Sequence, residues 1–88
     1  MRAAKDFIMR EIAGETILIP SGAAAKNFNG LITVNELGTV IWEALSEDLT
    51  LDTLTARITE TYEVDAETAR ADAAAFLEEL RQVGALEE

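Results

Sequence analysis

The apolar positions in the first third of the chain fall into short blocks punctuated by turn residues. Phe7-Ile8-Met9-Arg10-Glu11-Ile12 is rich in strand formers and stops at Ala13-Gly14. Glu15-Thr16-Ile17-Leu18-Ile19 follows and stops at Pro20-Ser21-Gly22. Two such runs joined by a short glycine-containing turn predict a β-hairpin. Pro20 has no N–H to give to a ladder and ends the second strand. Residues 23–29 form a looser connection, and Asn29-Gly30 signals a turn because both residues tolerate positive φ. Leu31-Ile32-Thr33-Val34 then reads as a short third strand, and the simplest topology is a three-stranded antiparallel meander.

From Asn35 onward the period changes from two to about 3.6. Asn35 is a natural N-cap, and Glu36 suits the positive end of the helix it opens. Leu37, Ile41 and Leu45, with Val40 and Ala44, make an i, i+3, i+4 stripe, and Trp42 sits off its centre. Gly38 costs this helix about 1 kcal/mol relative to alanine; a close helix–helix or helix–strand approach would explain it. Thr50 caps a second helix whose apolar face is Leu51, Leu54, Ile58 and Tyr62; that helix is expected to fade near Glu63-Val64. Asp65 caps a third, with Ala69, Ala73, Phe76, Leu77, Leu80 and Val83 facing inward and Gly84 as its C-terminal stop. Ala85-Leu86 is expected to fold back on the core while Glu87-Glu88 fray. Strands first and helices after predict an α+β fold.

The strands depart from simple alternation. Phe7 and Met9 point one way and Ile8 and Ile12 the other; Leu18 opposes Ile17 and Ile19. Either the helices and the 20–30 connection cover both faces, or one face meets a partner or a second copy of the chain. The third strand lies at an edge of the meander and contains no lysine, proline or charge, the residues that usually protect an edge. An open edge is a template for an incoming extended peptide, although four residues are also short enough to need no protection.

Composition narrows the chemistry. The 88 residues include no cysteine and no histidine. Disulfides, thiolate nucleophiles and cysteine metal sites are excluded, and the usual metal ligand and neutral-pH base are missing. The net charge is −10, and twelve of the seventeen acids fall in residues 45–88 against three of the seven bases. A surface this negative repels nucleic-acid phosphates and anionic headgroups, and favours basic or neutral peptides and proteins as partners. No apolar run approaches the roughly 18 residues of a membrane span, and the N-terminus has no apolar signal segment. One cytoplasmic domain over residues 1–88 is expected. Ser21 sits in a Pro-Ser-Gly turn with no base near it in sequence, and Glu78-Glu79 and Glu87-Glu88 read as solvated charges. No calcium-loop motif occurs. The expectation is a protein that is not an enzyme and carries no metal or cofactor.

The run Val34-Asn35-Glu36-x-Gly38-x-x-Ile41-Trp42, preceded by Pro20-Ser21-Gly22 and followed by Asp72-x-x-x-Phe76-Leu77-x-x-Leu80-x-x-x-Gly84-Ala85-Leu86, resembles the PqqD family of pyrroloquinoline quinone synthesis and the related recognition domains of ribosomally made, modified peptides. The likeness spans about residues 7 to 86. Val34 stands where the motif usually has leucine, and Gly84-Ala85-Leu86 where it usually reads Gly-Leu-Leu. The resemblance implies three strands against three helices in a winged-helix-like layout. It also implies a role: binding the leader segment of a precursor peptide as an added strand, and presenting it to a modifying enzyme, typically a radical SAM enzyme. Carried over by position, Leu31, Ile32, Thr33 and Val34 form the docking strand, and Ala69, Asp72, Ala73 and Phe76 form the opposite wall.

The residues themselves leave some of these roles open. Ala69 and Ala73, four apart on one face, leave room for a groove and equally permit close packing on the sheet. Asp72 suits a basic residue of the peptide or a neighbouring amide, or simply solvent. Phe76, a large apolar residue on a helical stripe, reads as core first and groove second. Two other functions compete. A winged-helix nucleic-acid-binding domain needs a basic recognition helix, whereas residues 65–83 carry Arg70 and Arg81 against Asp65, Glu67, Asp72, Glu78 and Glu79. A homodimeric assembly module using the strands is compatible with peptide binding.

Overall fold

A computed structural model of the chain describes residues 1–22 and 32–88. In chain order the elements are β1 (Arg2–Ala3), β2 (Phe7–Ile12), β3 (Glu15–Pro20), β4 (Ile32–Val34), α1 (Glu36–Ala44), α2 (Leu51–Thr61), α3 (Ala66–Gln82) and β5 (Leu86–Glu87). The α+β layout expected from the sequence is present: β2, β3 and β4 form one antiparallel sheet in that order, and three helices follow. The predicted turn at Asn29-Gly30 lies outside the described residues, as does Leu31.

The β2–β3 hairpin pairs Ile12 with Glu15 and leaves a two-residue loop. Both loop residues have positive φ, Ala13 at 53° and Gly14 at 81°. That is the signature of a type I′ turn, whose twist matches the strands it joins. Register then sets the faces. Met9 opposes Leu18, and Leu18 opposes Ile32, so these side chains share one face with Phe7 and Val34. Phe7, Leu18 and Val34 are buried there against Ile41 and Leu45 of α1, Leu54 and Ile58 of α2, and Leu77 and Leu80 of α3. The helices therefore cover one face. The other is exposed only in part: Ile8 and Ile12 are 43% and 53% exposed, while Ile17 is buried and Ile19 half-buried.

The three predicted N-caps all form. Asn35 Oδ1 accepts the Gly38 N–H at 2.8 Å, Thr50 Oγ1 accepts the Thr53 N–H at 3.1 Å, and Asp65 Oδ1 accepts the Thr68 N–H at 2.7 Å. α2 ends at Thr61, short of the expected Glu63-Val64, because Tyr62 turns extended (φ −121°, ψ 148°) while still giving its N–H to the Ile58 carbonyl. Gly84 closes α3 with a φ of 77°.

The termini differ from expectation. β1 pairs with β5 in a separate two-stranded sheet, with Arg2 opposite Glu87 and Ala3 opposite Leu86. Glu87 thus joins a ladder, and Glu88 pairs with Arg81 at 2.6 Å. The Ala3 N–H donates to the Leu45 carbonyl at 2.9 Å, and the Leu49 N–H to the Met1 carbonyl at 2.8 Å. The N-terminal strand is thereby sewn to the α1–α2 connection, and β5 is held through its pairing with β1. Among the described residues no helix is long and apolar enough to cross a membrane.

Candidate functional site

Among the described residues β4 lies at the edge of its sheet, paired with β3 alone: Thr16 opposes Val34, Ile17 opposes Thr33, and Leu18 opposes Ile32. Its other side borders a cleft of about 500 Å³. Thr33 and Val34 line the strand side, Leu37, Gly38 and Ile41 of α1 form the floor, and Asp72, Ala75, Phe76 and Glu79 of α3 form the far wall.

The floor depends on Gly38. A Cβ at that position would stand 2.7 Å from Val34 Cγ1 and 3.1 Å from Phe76 Cε1. The absent side chain is what lets the first turn of α1 sit between β4 and the Phe76 ring. The helix–strand approach expected as the reason for this glycine is therefore present. The Asn35 cap fixes the same turn, since its acceptor holds the Gly38 N–H itself.

A second cleft of about 360 Å³ adjoins the first, sharing Asn35, Leu37 and Asp72 with it. Its walls are more apolar: Ile58 and Tyr62 of α2, Val64, and Ala69 of α3. At its mouth the Tyr62 hydroxyl donates to Glu36 Oε1 at 3.5 Å. Partial burial raises the Tyr62 pKa, and the Glu36 carboxylate raises it further, so the phenol stays protonated as a donor.

The sequence-derived residues divide between cleft and core. Thr33, Val34, Asp72 and Phe76 converge on the first cleft. Ile32 is half-buried and packs against the core. Ala69, 1% exposed, contributes to the second cleft. Ala73 is fully buried and lines neither cleft; its small side chain serves close packing instead. Phe76 is half-buried, partly core and partly wall. Ala75 and Glu79 were missed, although i+3 and i+7 from Asp72 place them on the same helical face.

Charge in the cleft is of one sign. Asp72 and Glu79 line it, and among the described residues no basic side chain does. Arg70 is tied to Asp52, and Arg81 to Glu78 and Glu88. Among the described residues no three His, Cys, Asp or Glu side chains are grouped to hold a metal ion.

The family model described as coenzyme PQQ synthesis protein D (PqqD) matches residues 13–86. The chain belongs to the PqqD family. The match begins at the β2–β3 turn and runs into β5, so it takes in β4, all three helices and every described residue of both clefts. The fold is also that of the solved structure of TbiB1 in complex with the TbiA(beta) leader peptide. The TM-score is 0.77 at 23% identity, over 99% of this chain and 95% of that one. No curated protein matches this PqqD-family sequence.

Proposed function

We propose that this PqqD-family domain is a non-catalytic adaptor that binds the leader segment of a ribosomally synthesised precursor peptide. The leader adds as a strand to the outer side of β4, and its side chains enter the cleft between β4 and α3. The observation that carries this reading is the placement of an edge strand directly beside a cleft with an apolar floor. Strand addition uses both features: main-chain N–H and C=O groups supply register, and alternate side chains supply selectivity. Family membership and the likeness to a structure containing a bound leader peptide support it. The docking strand is Ile32 to Val34, with Asp72 and Phe76 opposite. The adaptor then presents the precursor to its modifying enzyme, a radical SAM enzyme, in the cytoplasm.

The test is a titration of the isotope-labelled domain with the N-terminal half of a short precursor peptide sought in its gene neighbourhood. Binding by strand addition shifts the amides of Ile32–Val34 and the ring of Phe76, and slows hydrogen exchange on β4. A peptide that binds while leaving β4 amides unprotected overturns the reading. Co-elution of domain, precursor and enzyme, lost when the leader is removed, tests the presentation step.

The exposed pair Ile8 and Ile12 favours one other reading, a homodimer through the opposite sheet face. Light scattering of the wild type and of Ile8→Ser/Ile12→Ser separates it from the first: a dimer dissociates on substitution, a monomer keeps its mass.

A further inference from the structure

Asp72 and Glu79 occupy the two ends of a single helical stripe on the cleft wall, with Phe76 between them. Neither has an ion-pair partner among the described residues, and the arginines of α3 are engaged elsewhere. The wall therefore presents a carboxylate, an aromatic ring and a second carboxylate in sequence. Ala75, a small residue next to Phe76 in the chain, lines the same cleft.

We infer that the cleft selects a guest strand of the pattern basic–x–apolar–x–basic, the cations meeting Asp72 and Glu79 and the apolar side chain packing on Phe76. This rests on the strand-addition reading of the cleft. For a guest strand running along the α3 axis the spacing matches. Seven residues of α-helix separate the two carboxylates by about 10 Å along the axis. An extended guest returns to the same face every ~7 Å, so the outer two of three same-face residues stand ~13 Å apart, with the third midway. Flexible lysine or arginine stems span the remaining ~3 Å. The pattern is the same in either direction, so it holds for a parallel or an antiparallel guest. An acidic residue at an outer position would meet a like charge beside an apolar floor, where solvent screening is weaker than in bulk water. The wall thus rejects as well as selects.

Random twelve-residue peptides displayed on phage and selected on the folded domain test this directly. The expected pool carries Lys or Arg at two positions four apart, around an apolar residue. A synthetic copy of the commonest peptide is expected to bind about threefold more weakly to Asp72→Asn and to Glu79→Gln, and about tenfold more weakly to the double variant, as for exposed ion pairs. Its salt dependence should flatten in the double variant. A Glu-x-apolar-x-Glu version should regain binding on Asp72→Lys/Glu79→Lys. Selected peptides that protect the amides of Ile32–Val34 but lack the basic pair, or an unchanged affinity in the double variant, overturn this inference and leave strand addition standing. Recovery of no peptide, or of peptides that leave those amides unprotected, overturns both.

Discussion

The α-carbon of Gly38 passes so close to Val34 that an added methyl group would sit 2.7 Å from Val34 Cγ1. Valine is stiff at χ1 and cannot swing that methyl aside cheaply. Gly38→Ala therefore sets two effects against each other. Helix propensity improves by about 1 kcal/mol; overpacking against a β-branched neighbour costs about 1–3 kcal/mol. The expected result is a net loss of about 1 kcal/mol, or roughly 4–8 °C in a domain this small. Because Val34 and Phe76 both line the first cleft, peptide affinity should fall as well. Urea denaturation followed by circular dichroism measures the first effect and a peptide titration the second. A stabilised variant with unchanged affinity would show that the α1–β4 approach has slack.

Thr33 offers a separate test of the edge. Its side chain is exposed and its backbone lies midway along β4, at the border of the cleft. Thr33→Pro removes one main-chain donor and fixes φ at about −65°, away from ordinary strand geometry. Leader binding is expected to fall more than tenfold while helical circular dichroism persists, since the three helices do not depend on this strand's outer side. Methylating the bound peptide's amides one at a time should weaken binding at alternate positions only. That period of two belongs to a strand; a guest bound as a helix would not show it.

Some of this site is legible in the sequence because its signals are local. Asn35, Thr50 and Asp65 each cap the helix they precede, and a cap needs only one residue and its next three. Gly38 announces a close approach without saying to what; only the fold brings Val34 and Phe76 to it. A helical stripe gives direction but not depth. It puts Ala73 and Phe76 on neighbouring lines, yet cannot say that Ala73 is sealed in the core while the Phe76 ring reaches the cleft. The β1–β5 pair is illegible for another reason. Two-residue strands carry no periodicity, and Arg2 and Glu87 lie at opposite ends of the chain.

The β2–β3 turn carries a residue poorly suited to its backbone. Ala13 holds a φ of 53°, in the left-handed region that an L-residue with a Cβ enters at a cost of about 1–2 kcal/mol. Asparagine tolerates that region better, and Asn-Gly is the preferred pair for a type I′ turn. Ala13→Asn is expected to stabilise the domain by roughly 0.5–1 kcal/mol. The site lies at the far end of the hairpin from the Phe7–Pro20 pair and lines neither cleft, so peptide affinity should hold. An unchanged or lower urea midpoint would show that the turn relaxes around alanine without strain.

Asp65 links the α3 cap to pH. The Thr68 N–H donates to its carboxylate at 2.7 Å, and this bond, reinforced by the Thr68 hydroxyl, holds the pKa below the usual carboxylate range. A carboxyl whose pKa is depressed on folding contributes stability that is present above its unfolded pKa and lost as pH falls through the folded one. The cap therefore supports α3 fully at neutral pH and fades on acidification through and below about pH 4. Asp65→Asn keeps an oxygen to accept the Thr68 N–H but has no proton to bind. Its thermal midpoint should lie near the wild type's at neutral pH and fall less steeply between about pH 5 and pH 3. Asp48, whose pKa the N-terminal ammonium holds down by a hydrogen bond at 2.6 Å, contributes with the same sign. The variant's acid limb should thus become shallower without becoming flat. Superimposable acid limbs for the two proteins would show that protonating Asp65 does not unfasten the helix, and that its hydroxyl-bearing neutral form caps as well as the anion.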